Sequence, residues 1–551
     1  MIQPLDLAIC ALYVTGIVTI GLWSGIRHRK KHAGGNTAGE YFLAGKTLKW
    51  PMIGLALFAT NISCVHLVSL AQSGFDTGLL NGNFEWMAAF TLVLLALFFA
   101  PFYIRSGVTT LPDFLEQRYD RACRDWLAIV SVVSAIIIHI AFSLLAGGIV
   151  LHTLFGVDMY TSVIVISLLT AVYTIVGGLT AVVVTESVQT IVLLAGAIII
   201  SIAAWNRMGG WAPMVQVLEA QHALDKLSML RPAGDGSGMP WYAVFLGYPV
   251  LGIWYWCADQ TIVQRVLGAK DEDHARVGAL FCGFIKILPV FIFVLPGLFA
   301  YTLSKAGLLD ISALRMVDAA GREVVNSKGI YTVMITQLLP GGLTGIVAAA
   351  LLSGLMSQVS GALNAIATLC SYDIYKRYRP YASGTKLVKA GRVSATAALL
   401  LSLALMPLLN SYESIFNGLN DVIAHIAPPI TCVFLLGIFW KKASARSARL
   451  TLWIGSALGT VVFAVNKLFP HTPAGHIPFM MMAFYLFCTC IALQVIFTIC
   501  YPDPPAAGRK VLYWASPREP LQSPGWKGIG NYKLLSLVLL AVMALLFWWF
   551  H

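Results

Sequence analysis

Apolar residues dominate the chain in long unbroken runs. About fourteen of these are long enough to cross a bilayer, near residues 5–26, 50–72, 84–104, 126–152, 160–178, 181–205, 240–263, 275–303, 342–372, 389–409, 412–439, 449–468, 476–499 and 532–550. A span needs about 20 predominantly apolar residues, so the pattern predicts an all-α integral membrane protein of about 14 transmembrane helices, folded as a single domain over 1–551. The first run has no basic segment before it and carries Arg27, Arg29, Lys30 and Lys31 after it. That order is unlike a signal peptide and predicts a retained span.

Composition agrees. Of 551 residues, 58% are hydrophobic and only 11% charged, with mean hydropathy +0.77. Soluble chains carry about 25% charge. The net charge of +12 would fit nucleic acid if the basic residues were clustered. Alternate loop assignment argues otherwise: with the N-terminus outside, the inner loops 27–49, 105–125, 264–276, 373–392, 440–450 and 500–533 hold 28 of the 37 Lys and Arg, and outer segments hold 8. This positive-inside bias places both termini outside, with the protein in a plasma membrane of the bacterial inner-membrane type. The remaining lysine, Lys286, lies inside a span. Ten cysteines, mostly single within apolar runs, read as small apolar fillers rather than a disulfide framework.

Ionisable groups inside a bilayer are expensive and mark function by default. Here they are His66, Glu85, His139, Glu186, Asp259, Lys286, Asp421 and His425, with amides at Asn61, Gln358, Asn364 and Asn420. Lys286 lies about 16 Å into its span at 1.5 Å per residue, too deep for easy snorkelling; it is a ligand or is paired with a carboxylate for packing. Glu85, near the outer end of its span, could snorkel. Asp259 has Arg265 nearby and reads equally as a structural ion pair. Asp421 and His425, one turn apart, form a structural pair, contact substrate or carry a proton.

LFATNISCVHL (57–67) is too polar and β-branched for an uninterrupted lipid-facing helix, and Asn61 and Ser63 predict a local break whose freed carbonyls need a partner. A second break is expected around Gly247, Pro249 and Gly252. Taking 50–205 and 240–439 as two sets of five spans, each set opens on an interrupted helix. An odd number of spans per set forces opposite topology, the inverted-repeat plan of secondary transporters; 5–26 is a leading helix and 449–550 a set of accessory helices. In SGLMSQVSGALN (353–364), Ser353, Ser357 and Ser360 share a helix face, either for close packing or as oxygen ligands for a hard cation.

Several stretches carry a resemblance: EYFLAGKTLKWPMIGLALFATNISCVHLVSLA (40–71), NFEWMA (83–88), YTIVGGLTAVVVTESVQT (173–190), WYWCADQTIVQRVLGAKD (254–271), SYDIYKRY (371–378) and APPITCVFLLGIFWKKA (427–443). The chain resembles the solute:sodium symporter family over nearly its whole length, and within it the sodium/glucose cotransporter branch. The resemblance implies a LeuT-like five-plus-five inverted-repeat core with discontinuous first and sixth core helices, and symport of a monosaccharide or related polyol-like solute with Na+ as coupling ion. It implies a sugar site of Asn61, His66, Glu85, Tyr255, Trp256, Lys286 and Asn420, with Tyr255 and Phe416 as gates. Asn420 stands where the branch has glutamine, and Gly252 replaces a polar residue that often lines the site, which leaves room there. The implied sodium ligands are the carbonyls of Ala59, Ile62 and Gly354 with Ser357 and, in place of a second hydroxyl, Gln358. Glu186 matches an acidic position on the inward ion path. Because Gln358 could fill that site instead of ligating, proton coupling through Asp421 or His425 is the alternative reading, and a sugar sensor or channel on the same fold is another. A membrane enzyme is disfavoured, since no clustered nucleophile or metal set occurs in the sequence. No cofactor and no nucleic-acid partner are expected; the partners are solute, Na+ and lipid.

Overall fold

The computed structural model describes residues 3–31, 37–317, 323–409, 415–469, 477–503 and 512–551. Among these, eleven helical runs are long and apolar enough to cross a membrane, against the fourteen expected. The difference has a physical origin. The expected spans 160–178 and 181–205 form one run, α7 in the order below (Met159–Met208), with a single non-helical residue at Gly178 (φ 68°, ψ −162°). Only glycine suits that backbone, and a Cβ there would lie 2.5 Å from the Tyr41 carbonyl oxygen. The expected spans 50–72 and 240–263 are broken, so neither stands as one long helix.

In chain order the principal helices are α1 (Pro4–Lys31), α2 (Trp50–Asn61), α3 (Cys64–Thr77), α4 (Asn83–Leu94), α5 (Arg121–Ser134), α6 (Phe142–Phe155) and α7 (Met159–Met208). They continue with α8 (Trp241–Ile253), α9 (Gln260–Leu267), α10 (Glu272–Ile285), α11 (Leu295–Lys305), α12 (Leu343–Leu369), α13 (Gly384–Leu409), α14 (Ile415–Phe439), α15 (Ala445–Leu468), α16 (Phe479–Cys500) and α17 (Tyr532–Trp549). An exposed antiparallel hairpin, Arg315–Val317 with Glu323–Val325, decorates the segment between α11 and α12. This is a small exception to an otherwise all-α chain.

The first break falls where the sequence predicts. α2 stops at Asn61, Ile62 and Ser63 are extended, and α3 starts at Cys64 with a capping box. The second falls later than predicted. α8 runs straight through Gly247, Pro249 and Gly252, a π-turn covers Trp254–Ala258, and Asp259 (ψ 122°) is the break. Asp259 Oδ1 accepts the Thr261 amide at 2.6 Å and so starts α9. The two glycines serve packing: a Cβ at Gly247 would lie 2.3 Å from the Met480 carbonyl, and one at Gly252 would strike the Tyr248 ring at 2.6 Å.

The core sits around α12, whose interior faces are buried almost throughout against α1, α2 and α7. A carboxylate of α1 pins the N-terminal end of α12. Asp6 Oδ1 accepts the amides of Gly342 and Gly345 at 2.7 and 2.8 Å. Two of the first amides of α12 thereby gain an acceptor, at the positive end of its dipole. At the other end, Arg124 spans Asp373 (2.7 Å), Asp113 (3.1 Å) and Glu116 (2.6 Å), tying the start of α5 to the end of the α12 run.

Candidate functional site

Both breaks open onto one cavity of about 80 Å3 between α3, α4, α8, α12 and α14. Of the residues predicted from the sequence, Asn61, His66, Glu85, Tyr255, Trp256 and Asn420 line it. The polar members are held in fixed orientations. His66 Nδ1 accepts the Ser63 amide at 3.3 Å, which leaves Nε2 as the N–H of a neutral ring. Asn61 donates to the Tyr255 hydroxyl (3.2 Å) and accepts from Lys286 Nζ at 2.5 Å.

Lys286 itself stands behind this wall. It forms a buried ion pair with Glu85 and lies 5.6 Å from the Trp256 ring centroid. Its ammonium therefore meets the cavity through Asn61 and Glu85. The room expected at Gly252 is taken by Tyr248, whose hydroxyl donates to the Phe84 carbonyl at 3.0 Å. The side chain of Phe416 lies outside the described residues.

Beneath the first break the ion-site candidates converge. Ser357 Oγ donates to the Ala59 carbonyl at 2.8 Å and approaches the Gly354 carbonyl at 3.2 Å. A methyl on Gly354 would come within 2.9 Å of the Cys64 nitrogen and 3.5 Å of the Ile62 carbonyl, so the two helices meet backbone to backbone. Gln358 departs from the expected set. Its Nε2 lies 2.7 Å from His139 Nδ1, and its side chain lines the cavity. Of the serines sharing the face of Ser357, Ser353 binds the Tyr13 hydroxyl (2.7 Å) and Ser360 the Ser357 carbonyl (3.0 Å), which are packing contacts.

Glu186 is fully buried, with Thr60 Oγ1 at 3.0 Å and the Arg265 guanidinium bidentate upon it. Gly361 makes this possible, since a Cβ there would lie 2.5 Å from Arg265 Nη2. Arg265 therefore serves Glu186, and Asp259 pairs with His139 instead (2.8 Å). Asp421 pairs with Lys467 at 2.9 Å, and His425 Nδ1 bonds the Asp421 carbonyl at 2.8 Å; neither lines the cavity.

The cavity residues that sequence reading left without a role are His139, Tyr248 and Ser143. His139 had a signal, a lone histidine in IIIHIA, but its direction depends on a π-turn (Ala135–Ala141) that carries no local mark. Outside the spans, Lys226 caps the C-terminal end of α3 by donating to the Asp76 carbonyl at 2.5 Å, and burial holds its ammonium below the usual lysine range.

Paired broken helices beside a buried polar cavity, with a hydroxyl of α12 drawn to a carbonyl next to the first break, define the class of ion-coupled secondary transporters with a LeuT-like core. The profile of the Sodium:solute symporter family matches residues 41–455. The chain belongs to that family. It is 32% identical to sodium/glucose cotransporter 1 of Ovis aries over 474 residues, covering 82% of this chain and 71% of that protein. It is 32% identical to the sodium/mannose cotransporter of Bos taurus over 486 residues, covering 86% and 81%. Among solved structures, a Na+-coupled sialic acid symporter in a substrate-bound outward-open state aligns with TM-score 0.76 and 21% identity, covering 91% of this chain and 99% of that one. Mhp1, a nucleobase-cation-symport-1 family transporter, aligns with TM-score 0.51 and 14% identity, covering 88% and 98%. These two likenesses concern the fold.

Proposed function

We propose that this protein is a secondary active symporter that imports a monosaccharide or related polyol-like solute, driven by inward Na+ flow through alternating access. The observation carrying this reading is the pairing of the Asn61–Glu85–Lys286 wall with the aromatic pair Tyr255 and Trp256 around one cavity at the helix breaks. A pyranose presents hydroxyls and one apolar ring face. Carboxylate, amide and imidazole read the first, and an aromatic ring covers the second. The relatives, named for sodium with glucose or mannose, support the same solute class.

Na+ enters as a co-substrate. The Ala59 and Gly354 carbonyls and the Ser357 hydroxyl already face one point, and the Ile62 carbonyl lies at the same break. A cation there would replace the serine proton as the link between α2 and α12. It would hold the outward arrangement in which the sugar wall is complete, and linkage makes each ligand favour the other. On this reading residues 50–205 and 240–439 are the two repeats that rock, both termini face outward, Tyr255 is an inner gate, and Glu186 lies on the inward ion path.

Uptake of labelled D-glucose and D-mannose into proteoliposomes, under an imposed Na+ or pH gradient, tests the proposal. Concentrative uptake that follows Na+ is expected. Uptake that ignores Na+ and follows pH would replace it with proton symport, and ligand-evoked current without accumulation would replace it with a channel or sensor.

A further inference from the structure

Gln358 holds an unusual position at the cavity. A chain of three buried side chains ends on it: Asp259 Oδ2 lies 2.8 Å from His139 Nε2, and His139 Nδ1 lies 2.7 Å from Gln358 Nε2. The direction of these bonds follows from the Asp259 end. A carboxylate only accepts, so His139 donates through Nε2; with the Gln358 amide nitrogen turned toward it, Nδ1 of the neutral ring accepts and the amide donates. The Gln358 carbonyl oxygen is then left over. It is buried and has no hydrogen-bond partner among the described residues, on a side chain only 4% exposed that lines the cavity with Asn61, Tyr255 and Trp256. Buried acceptors are mostly paired; of the unpaired acceptors among the described residues, those of Asn83, Gln189, Asp373 and Asn466 lie away from the cavity, whereas Gln358 lines it and so has room for a ligand as partner.

A cation below the first break is not the natural partner. The carbonyls of Ala59 and Gly354 are gathered by Ser357. Gln358 lies one residue further along α12, about 100° around the helix, with its amide drawn to His139.

We propose that Gln358 Oε1 is a specificity-determining acceptor for the solute. It takes a hydrogen bond from one sugar hydroxyl, and His139 and Asp259 act as positioning residues that fix the amide. The proposal rests on the sugar-symport reading. It also supplies a route for coupling. The residue reading the sugar adjoins the residue that gathers the ion-site carbonyls, and the relay ends on Asp259, the cap of α9, the half-helix after the second break. Sugar occupancy is thereby reported to the second break through bonded side chains, and to the first through the backbone that joins Gln358 to Ser357.

An acceptor built to read one hydroxyl penalises the analogue that lacks it, because the acceptor is left unpaired. The test uses purified full-length protein in saturating Na+. Binding of D-glucose, D-mannose, D-galactose and myo-inositol is measured by calorimetry, and each binder is then compared with its series of monodeoxy analogues. One deoxy position should bind the unaltered protein about tenfold more weakly or worse. That penalty should vanish in Gln358→Met, which keeps the length and removes the acceptor, and should shrink in His139→Ala, while penalties at the other positions persist. Sodium affinity measured without sugar should stay within about twofold in Gln358→Met.

Unchanged deoxy penalties in Gln358→Met overturn the proposal and leave sugar symport standing. A tenfold loss of sodium affinity without sugar also overturns it, in favour of an ion ligand. If none of the four solutes binds the unaltered protein, the sugar reading fails and takes the proposal with it. Should Gln358→Met not fold, Gln358→Asn, with its acceptor withdrawn by one methylene, must show the same selective loss.

Discussion

Lys286 and Glu85 are two opposite charges buried at the level of the cavity, with Asn61 completing the ammonium's shell. Removing one partner strands the other charge, a loss of about 3–5 kcal/mol for a buried pair. Lys286→Met should therefore lower the melting temperature and abolish sugar binding, and Glu85→Gln should do the same. The double variant should recover much of the stability and none of the binding, as thermal melts beside calorimetry would show. Recovery of binding in the double variant would mean that the pair is only packing. A second contact makes its demand through space rather than charge. Gly361→Ala inserts a methyl where the Arg265 guanidinium meets Glu186. It should destabilise by about 1–3 kcal/mol, the range for overpacking, and Gly361→Ser should do no better despite its added hydroxyl.

At the scale of elements, the fold is a set of helices whose ends and breaks are satisfied from a distance. The first break was legible because Asn61 and Ser63 interrupt an apolar run with residues that compete for backbone hydrogen bonds. The second was misplaced onto Gly247, Pro249 and Gly252. Glycine has two uses, unwinding and close approach, and the sequence alone does not separate them; here the Met480 backbone and the Tyr248 ring claim those positions. Asp259, which does set the break, looked like a partner for Arg265 because the two are near in sequence, whereas the pairing is decided by residues from α7 and the turn at His139. Six of the seven expected sugar-site residues line one cavity, and Lys286 stands directly behind it. The relay through His139 was not legible, because it depends on a π-turn.

Two predictions belong to these elements. Asp6→Ala removes the cap that α1 places on α12. It should cost about 0.5–2 kcal/mol, as loss of an N-terminal cap does, with sugar affinity unchanged. Ser357→Ala removes the hydroxyl that gathers the carbonyls of α2 and α12. Sodium at 100 times its dissociation constant stabilises a protein by about 2.7 kcal/mol. A tenfold weaker site reduces that to about 1.4 kcal/mol at the same concentration. Thermal melts in Na+ and in K+ should show the sodium-specific increment roughly halved, with the K+ baseline little moved.

For the molecule as a whole, alternating access requires that closing one side be tied to opening the other, and the charged residues are placed to do this. The apolar bulk meets lipid, and the basic residues concentrate in loops assigned to the inner face, where Arg124 binds Asp113, Glu116 and Asp373 while Arg377 and Arg121 both reach Asp125. This cluster joins α5 and the segment before it to the end of the α12 run, which also carries Ser357 and Gln358. On the proposed orientation it would keep the inner side shut while the cavity is read from outside. If so, Arg124→Gln lowers the outward-facing fraction, and apparent affinity falls in proportion to the competent fraction. A tenfold population shift corresponds to about 1.4 kcal/mol, less than a full Arg–carboxylate network can supply. External sugar KM in right-side-out vesicles should rise up to about tenfold, Arg124→Lys should restore part of it, and sugar affinity from the inner side, measured in inverted vesicles, should not weaken. Equal weakening on both sides would show that the network holds the fold together and does not govern the exchange of states.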